Sequence, residues 1–105
     1  RYRSPAASTA VGRMKLVWTE PAIADLARLY ESLSTVAGAA VAGRLVRRLT
    51  RSPTILLDQP RLGAQLFEFA PREVRRFMVG QYEVRYEIQV VTIYVLRLWH
   101  TREDR

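Results

Sequence analysis

The sequence has no cysteine, one histidine and no long uninterrupted apolar run. The missing thiols exclude disulfides and thiolate metal sites, and they remove any sign of a small secreted scaffold. A membrane-spanning helix needs about 20 consecutive apolar residues, which this chain lacks. One histidine without cysteine does not suggest a metal site, and no phosphate-binding glycine motif supports a nucleotide cofactor. We therefore expect a cytoplasmic protein without a metal or cofactor.

Carboxylates are scarce compared with basic residues. Ten acidic residues face 17 basic ones, which gives a net charge of +7, and Lys15 is the single lysine. Arginine binds phosphates and carboxylates through a planar fork of donors. A GC-rich genome would explain the choice of arginine over lysine, but it would not explain the excess of positive charge. The charge balance therefore favours an acidic partner or a nucleic acid.

The length and composition predict one domain. A chain of 105 residues with 49% hydrophobic residues can bury a core without disulfides. Residues 1–13 are small and polar, show no periodicity and precede Met14. We interpret them as a tag or a disordered extension, with Met14 as the native start. The domain is then expected over residues 14–105.

The first half of the domain has helical periodicity. Residues 15–18 form a short apolar run, and Thr19 is placed to cap a helix over residues 20–34. A second helix is predicted over residues 39–51, and the apolar residues 55–57 after Pro53 could add one more helical turn. A short connection between two helices predicts an antiparallel hairpin.

The second half has strand periodicity. Strands are predicted over residues 73–79, 82–90 and 92–99, and the middle one alternates most clearly between apolar and polar residues. The order β-α-α-β-β-β indicates an α+β fold. It consists of an N-terminal strand, a two-helix antiparallel hairpin and a three-stranded antiparallel meander that completes one sheet, with the hairpin on one face.

The register of the last two strands is not fixed by a turn motif. We favour the register that collects the charges on the face away from the helices. It places one set of side chains on the helix side: Tyr82, Val84, Tyr86, Ile88, Tyr94, Leu96 and Leu98. It places a second set on the open face: Glu83, Arg85, Glu87, Arg97 and Trp99.

The second helix carries a row of arginines at helical spacing, Arg44, Arg47, Arg48 and Arg51. No acidic residue lies between Thr35 and Leu57 to neutralise them. One interpretation is a solvated face whose long side chains cover apolar surface. The other is a contact surface for acidic groups of a partner or for phosphates. Both interpretations stay open at this point.

Two later segments could carry chemistry. Arg72, Arg75 and Arg76 lie at the start of a strand, where they could contact phosphates or pair with nearby glutamates. His100 could transfer a proton near neutral pH or have only a structural role. Its neighbour Trp99 could stack on a base while Arg102 holds a phosphate.

Several short motifs follow one another between Met14 and Arg105. Leu16-Val-Trp-Thr19 comes first, and the first helix contributes Ala22 and Asp25-Leu26. The later motifs are Gly63, Arg72-Glu-Val-Arg75, Tyr82-Glu-Val-Arg-Tyr86 and Val95-Leu-Arg-Leu-Trp-His100-Thr-Arg102-Glu103. The order of these motifs resembles the RelE/ParE superfamily of toxins from bacterial type II toxin–antitoxin systems. The resemblance implies a helix hairpin packed on an antiparallel sheet.

The resemblance also implies a growth-inhibiting toxin with one of two activities. RelE-like members cut mRNA on the ribosome without a metal, through attack of a 2′-hydroxyl on the adjacent phosphate. For that activity the implied catalytic residues are Arg75, Arg76, His100 and Arg102. ParE-like members poison DNA gyrase and do not cut RNA. A family member that only binds its antitoxin is a third alternative.

Two departures from the RelE-like pattern weaken the ribonuclease interpretation. Glu83 occupies the position of an arginine, and the tyrosine expected a few residues after Arg102 is not in the sequence, which ends at Arg105. For either target, the implied contact residues are Arg72, Arg85, Arg97 and Trp99. The partner implied by the family is an acidic antitoxin that folds on binding, in a hetero-oligomer, with Arg44, Arg47, Arg48 and Arg51 as its candidate contacts.

Overall fold

The computed structural model describes residues 14–103, and it begins with a short strand followed by two helices. Strand β1 spans Lys15–Trp18 and helix α1 spans Glu20–Ala37. Thr19 caps α1, because its hydroxyl accepts a hydrogen bond from the Ala22 N–H at 3.3 Å. The helix is three residues longer than predicted and ends at Ala37, and the Thr35 hydroxyl inside it donates to the Glu31 carbonyl.

Gly38 separates the two helices of the hairpin. Its backbone φ of 93° lies in the left-handed region, where glycine carries no Cβ penalty. Helix α2 follows over Ala39–Arg51, as predicted, and buries Ala42, Leu45 and Leu49. The extra helical turn predicted after Pro53 is also present, as a 3-10 helix over Ser52–Leu57.

The rest of the chain forms most of one five-stranded sheet. The remaining strands are β2 at Ala64–Gln65, β3 at Glu73–Val79, β4 at Tyr82–Gln89 and β5 at Thr92–His100. The strand order is β1-β5-β4-β3-β2; β1 runs parallel to β5, and the other neighbours are antiparallel. The predicted α+β order is confirmed, with the first strand placed beside the last.

The hydrophobic core lies between the helix hairpin and one face of the sheet. Its larger cluster joins Leu29 of α1 and Leu49 of α2 to Val84 and Leu98 of the sheet. A smaller cluster joins Leu56 to Tyr86 and Ile93. Among residues 14–103, both α-helices therefore lie on the same face of the sheet, as the binary pattern indicated.

A β-bulge makes part of the predicted β4–β5 register wrong. Val84 pairs with Leu98 as the prediction requires, but an irregularity between Arg85 and Tyr86 shifts the pairing by one residue. Beyond it, Tyr86 pairs with Val95, and Val95 and Ile93 enter the core instead of Leu96 and Tyr94. Tyr94 lies opposite Glu87, on the face away from the helices.

The sequence pattern also missed β2 and a 3-10 helix over Phe67–Phe69. Two residues are too few to show a period, so β2 could not be predicted from alternation. The strand pairs with Arg75 and Arg76 of β3. Gly63 precedes it, and an added Cβ there would lie 2.4 Å from the Arg76 carbonyl oxygen. This close approach explains why the position is glycine.

The interpretation of residues 1–13 as a tag or extension concerns residues that lie outside the described part of the chain. Among residues 14–103, no helix has the length and apolar character needed to cross a membrane.

The β4–β5 turn contains a strained residue that can be tested. Val90 has a backbone φ of 44°, which is unfavourable for a β-branched side chain, and it is 96% exposed. We expect Val90→Gly to stabilise the protein by about 1 kcal/mol, because strain of this kind costs at least that much. The melting temperature should then rise by about 4–8 °C, which calorimetry would detect.

Val91→Gly is the matched control for this experiment. Val91 lies in the same turn but has no positive φ, so glycine there removes no strain and only adds freedom to the unfolded chain. Equal shifts in both variants would contradict the assignment of strain to Val90.

Candidate functional site

The exposed edge of β5 is completed by side chains of α1. Strand β1 ends at Trp18, opposite Val95, so the β5 backbone beyond this point has no neighbouring strand on that side. The Thr19 hydroxyl donates to the Val95 carbonyl at 2.8 Å. The Asp25 carboxylate accepts from the Leu98 N–H at 2.9 Å. We call this the β5 edge network; it also includes Arg28, Arg97 and Glu103.

Asp25 is the centre of the β5 edge network. It is only 3% exposed and binds the Arg97 guanidinium through both oxygens, at 2.8 and 3.1 Å. Burial would raise the pKa of Asp25, but hydrogen bonds from Arg97 and the Leu98 N–H, together with the charge of Arg97, hold the pKa below its ordinary value of 3.8. The carboxylate therefore stays ionised at neutral pH.

The same network ties down the end of β5. Arg28 of α1 donates to the Leu98 carbonyl at 3.3 Å and forms an ion pair with Glu103. Glu103 in turn accepts from the His100 N–H at 2.9 Å. Arg97, predicted as a target contact, is thus held by a helix side chain, although 42% of its own side chain remains exposed.

The open face of the sheet collects three of the predicted arginines with two buried glutamates. Arg72 pairs with Glu87 at 2.7 Å, and Arg85 pairs with Glu83 at 3.2 Å. Arg76 lies 3.9 Å from Glu83. The hydrogen bond from Arg72 is the main reason that the pKa of Glu87 is lowered, against the opposing effect of burial. The predicted cations are present on this face, but each is beside a carboxylate.

Arg85 also covers the predicted stacking residue. Its guanidinium carbon lies 4.8 Å from the Trp99 ring centre and 5.4 Å from that of Phe69. Trp99 is only 9% exposed. A nucleotide base could therefore stack on this indole only after Arg85 had moved away.

Arg75 lies on the opposite face of the sheet from Arg76. Alternation along β3 places Arg75 with Phe77 on the helix side, and its side chain is 14% exposed. It binds Glu73 at 2.9 Å and donates to the Gly63 carbonyl at 2.6 Å. These contacts hold the loop before β2, so Arg75 is engaged in structure and does not join Arg76.

The same loop is anchored by Tyr86, which the sequence identified only as a core residue. The buried Tyr86 hydroxyl donates to the Pro60 carbonyl at 2.7 Å and accepts from the Gly63 N–H at 3.0 Å. Burial is the main cause of its raised pKa. Because the Tyr86 ring reaches this loop from the core, it fixes the loop against β3.

His100 and Arg102 lie at the end of β5 on the helix side. The His100 ring contacts Tyr82 edge to face, with 4.9 Å between ring centres, and its Nδ1 accepts from the Arg102 N–H at 3.0 Å. Both residues line a shallow pocket with Leu29 and Leu33 of α1. The four residues predicted for catalysis are therefore spread over both faces of the sheet and do not form one site.

The helix hairpin presents two further surfaces. The first is an apolar groove between α1 and α2, lined by Ile23, Leu26, Ala27, Tyr30 and Val46, with Glu31 beside them. Ile23 is 53% exposed and Tyr30 is 38% exposed. The second is the α2 arginine face, by which we mean Arg44, Arg47, Arg48 and Arg51, all of which are exposed.

Within residues 14–103, no cluster of histidine, cysteine or carboxylate side chains could hold a metal ion. The described structure combines a helix hairpin, a mixed sheet and two separated basic surfaces, which are the open face of the sheet and the α2 arginine face.

Comparison with known proteins identifies the family. Residues 16–105 match the family described as the ParE toxin of the type II toxin–antitoxin system parDE. The chain belongs to the ParE toxin family. The match covers both helices and every strand except Lys15 at the start of β1, and it confirms the superfamily that the short motifs indicated.

A solved structure supports the fold of this ParE-family toxin. The chain is similar to a protein described as the chromosomal ParDE TA system from P. aeruginosa, with 24% sequence identity and a TM-score of 0.72. The similarity covers 83% of this chain and 95% of the other. No curated protein sequence gives a significant match.

Asp25 is the main structural residue whose role sequence reasoning missed. It was noted only as part of a family motif, although it lies between Ala22 and Leu29 on the apolar side of α1. A carboxylate at a predicted core position must have a partner, since burying an unpaired charge is very costly. The sequence could therefore have predicted that Asp25 has a partner, but it could not have identified Arg97 as that partner.

Replacing Asp25 tests the β5 edge network. We expect Asp25→Asn to lower the free energy of unfolding at pH 7 by about 2–3 kcal/mol, because it leaves Arg97 without its buried counter-charge. Urea denaturation would measure this loss. Glu31→Gln is the matched control, since Glu31 is an exposed carboxylate on the same helix, and it should change stability by less than about 0.5 kcal/mol.

The pH dependence gives a second measurement on the same variants. A carboxyl with a lowered folded-state pKa contributes stability above its ordinary pKa, and this contribution is lost as the pH falls through the lower folded value. The difference between wild type and Asp25→Asn should therefore be largest above pH 3.8 and shrink below it. A difference that stays constant in this range would contradict the pairing.

Proposed function

We propose that this ParE-family toxin arrests growth by binding DNA gyrase, that it does not cleave RNA, and that a cognate antitoxin neutralises it. The observation that carries the proposal is the separation of the predicted catalytic residues. Arg75 and His100 lie on the helix side of the sheet, whereas Arg76 lies on the open face. A toxin that acts by binding needs an accessible surface and no convergent catalytic groups.

The charges on the open face also favour binding over RNA cleavage. A metal-free ribonuclease must stabilise the extra negative charge of a phosphorane with cations placed around it. Here Glu83 lies beside both Arg76 and Arg85 and offsets their charge. Glu87 does the same for Arg72. Such paired arginines can still position a protein partner through a polar rim.

The apolar groove of the hairpin suits the antitoxin. Exposed Ile23 and Tyr30 beside Leu26 form a stripe that an amphipathic segment can cover. An antitoxin segment that folds on binding loses conformational entropy. The burial of apolar surface in this groove would offset that loss. The toxin and antitoxin would then form a hetero-oligomer.

The target is tested with purified toxin in two assays run in parallel. We expect the toxin to block DNA supercoiling by gyrase, and added antitoxin to restore it. In a translating cell-free extract, primer extension should show intact mRNA. Cleavage within codons during translation, together with normal supercoiling, would overturn the proposal in favour of the ribosome-dependent ribonuclease.

The antitoxin surface is tested by charging the groove. Ile23→Glu should weaken antitoxin binding by at least about 30-fold, because it removes an apolar contact and places an unpaired charge in the groove that the antitoxin would bury. Ala24→Glu is the control, since Ala24 is exposed on the same helix and does not line the groove. Isothermal titration calorimetry with the product of the adjoining reading frame would measure both. Equal effects of the two substitutions would contradict the assignment of this groove.

A further inference from the structure

The positive charge of the described chain is concentrated on α2. Seven of the eight arginines outside α2 lie within 4 Å of a carboxylate. They are Arg28, Arg61, Arg72, Arg75, Arg76, Arg85 and Arg97; the eighth is Arg102. In residues 14–103, the α2 arginine face has no such ion pair. Its four guanidinium groups are therefore the largest group of uncompensated charges on the described surface.

Two simpler explanations account for only part of this face. Arg48 and Arg51 lie in the last turn of α2, where cations stabilise the helix dipole, but Arg44 and Arg47 do not. The Arg48 guanidinium also packs over Gly80 of the β3–β4 turn, 2.8 Å from the position that a Cβ would take. Arg44 and Arg47 remain exposed without either role.

The composition of the face distinguishes between kinds of partner. Protein interfaces have an apolar or aromatic centre surrounded by a polar rim. The apolar residues of α2 point elsewhere, with Leu45 and Leu49 in the core and Val46 in the hairpin groove. Interfaces with nucleic acids are more polar and strongly positive. The α2 arginine face has the second composition.

The dimensions of the face also fit a phosphate backbone. Arg44 and Arg51 are two helical turns apart, which is about 10 Å along the helix axis. Each strand of duplex DNA carries a phosphate about every 3.4 Å of helix axis, so the face spans about three phosphates of one strand when α2 lies along the duplex axis. Arginine forks can bind each of them with two hydrogen bonds.

We propose that the α2 arginine face binds the phosphate backbone of double-stranded DNA without sequence preference. The expected partner is the duplex itself, not an acidic peptide or an RNA. This DNA contact would be made in addition to the proposed contact with gyrase. It would allow the toxin to engage DNA next to a DNA-bound target. DNA binding is measured in the absence of gyrase. A toxin that fails to inhibit gyrase would therefore contradict the proposed function, but it would not decide whether the α2 arginine face binds DNA.

The experiment uses fluorescence anisotropy of a labelled 20-base-pair duplex with the purified chain, at salt concentrations from 50 to 200 mM. The test variant combines Arg44→Gln, Arg47→Gln and Arg51→Gln, which keep good helix formers on the exposed face. The control variant combines Ala24→Glu, Gln59→Glu and Ala64→Glu, at exposed positions outside α2. Both lower the net charge by three. Thermal denaturation verifies that both variants fold.

We expect the test variant to bind DNA at least about 30-fold more weakly at 50 mM salt. The slope of log affinity against log salt should fall in magnitude by about two to three, since each lost phosphate contact removes about 0.9. At 100 mM salt, where the Debye length is about 10 Å, the control should stay within about 3-fold of wild type, because its substitutions lie outside α2. This pattern would establish the α2 arginine face as the DNA contact.

Four results would overturn the inference. The first is that wild type shows no measurable DNA binding at 50 mM salt, and the second is that the test and control variants lose equal DNA affinity. The third is tighter binding of a matched RNA duplex, and the fourth is displacement of DNA by polyglutamate at equal charge concentration. The second result would attribute binding to net charge, and the last would make an acidic protein segment the partner.

Discussion

The Asp25 carboxylate is the interaction on which the rest of the structure depends. The first strand is only four residues long, so more than half of β5 has no strand neighbour on that side. Asp25 accepts the Leu98 N–H and pairs with Arg97, and so fixes α1 against the sheet. The end of β5 is held by the same network, through Arg28 and Glu103. An edge of backbone donors that would otherwise invite another strand is closed by side chains instead.

Charge pairing then decides which arginines are available to a partner. The excess of arginine suggested an acidic partner or a nucleic acid, but each arginine of the described sheet is engaged by a carboxylate. Such pairs contribute little stability when exposed, but they reduce the positive potential of the open face. The arginines of α2 differ from those of the sheet, because α2 carries no acidic residue that could pair with them. The two basic surfaces therefore have different properties, although both contain several arginines.

Much of the fold could be predicted because its signals are local. Thr19 caps a helix, Gly38 separates two helices, and the alternation from Tyr82 to Gln89 requires a strand. The register of β5 could not be predicted, because the bulge beside Tyr86 follows from packing across the sheet. Strand β2 was missed because it exists only through its pairing with Arg75 and Arg76.

The candidate site was harder to predict than the fold. The separation of Arg75 from Arg76 was available from alternation alone, since adjacent residues of a strand point to opposite faces. Pairing of the strand arginines with nearby glutamates was one of the two interpretations, and it is found for Arg72 with Glu87 and for Arg76 with Glu83. The pairing of Arg97 with Asp25 was not available, because it joins the sheet to α1 through a tertiary contact. A family motif preserves the order of residues along the chain, but the structure decides which of them share a surface.

The central claim is that the toxin acts by occupying its target and not by turnover. The most direct test is a titration of toxin against fixed concentrations of gyrase and, separately, of ribosomes in a translating extract. A binding toxin should inhibit supercoiling in proportion to the gyrase present and leave protein synthesis unaffected at one toxin per ribosome. Arrest of protein synthesis by toxin far below the ribosome concentration would show catalytic turnover and contradict the account.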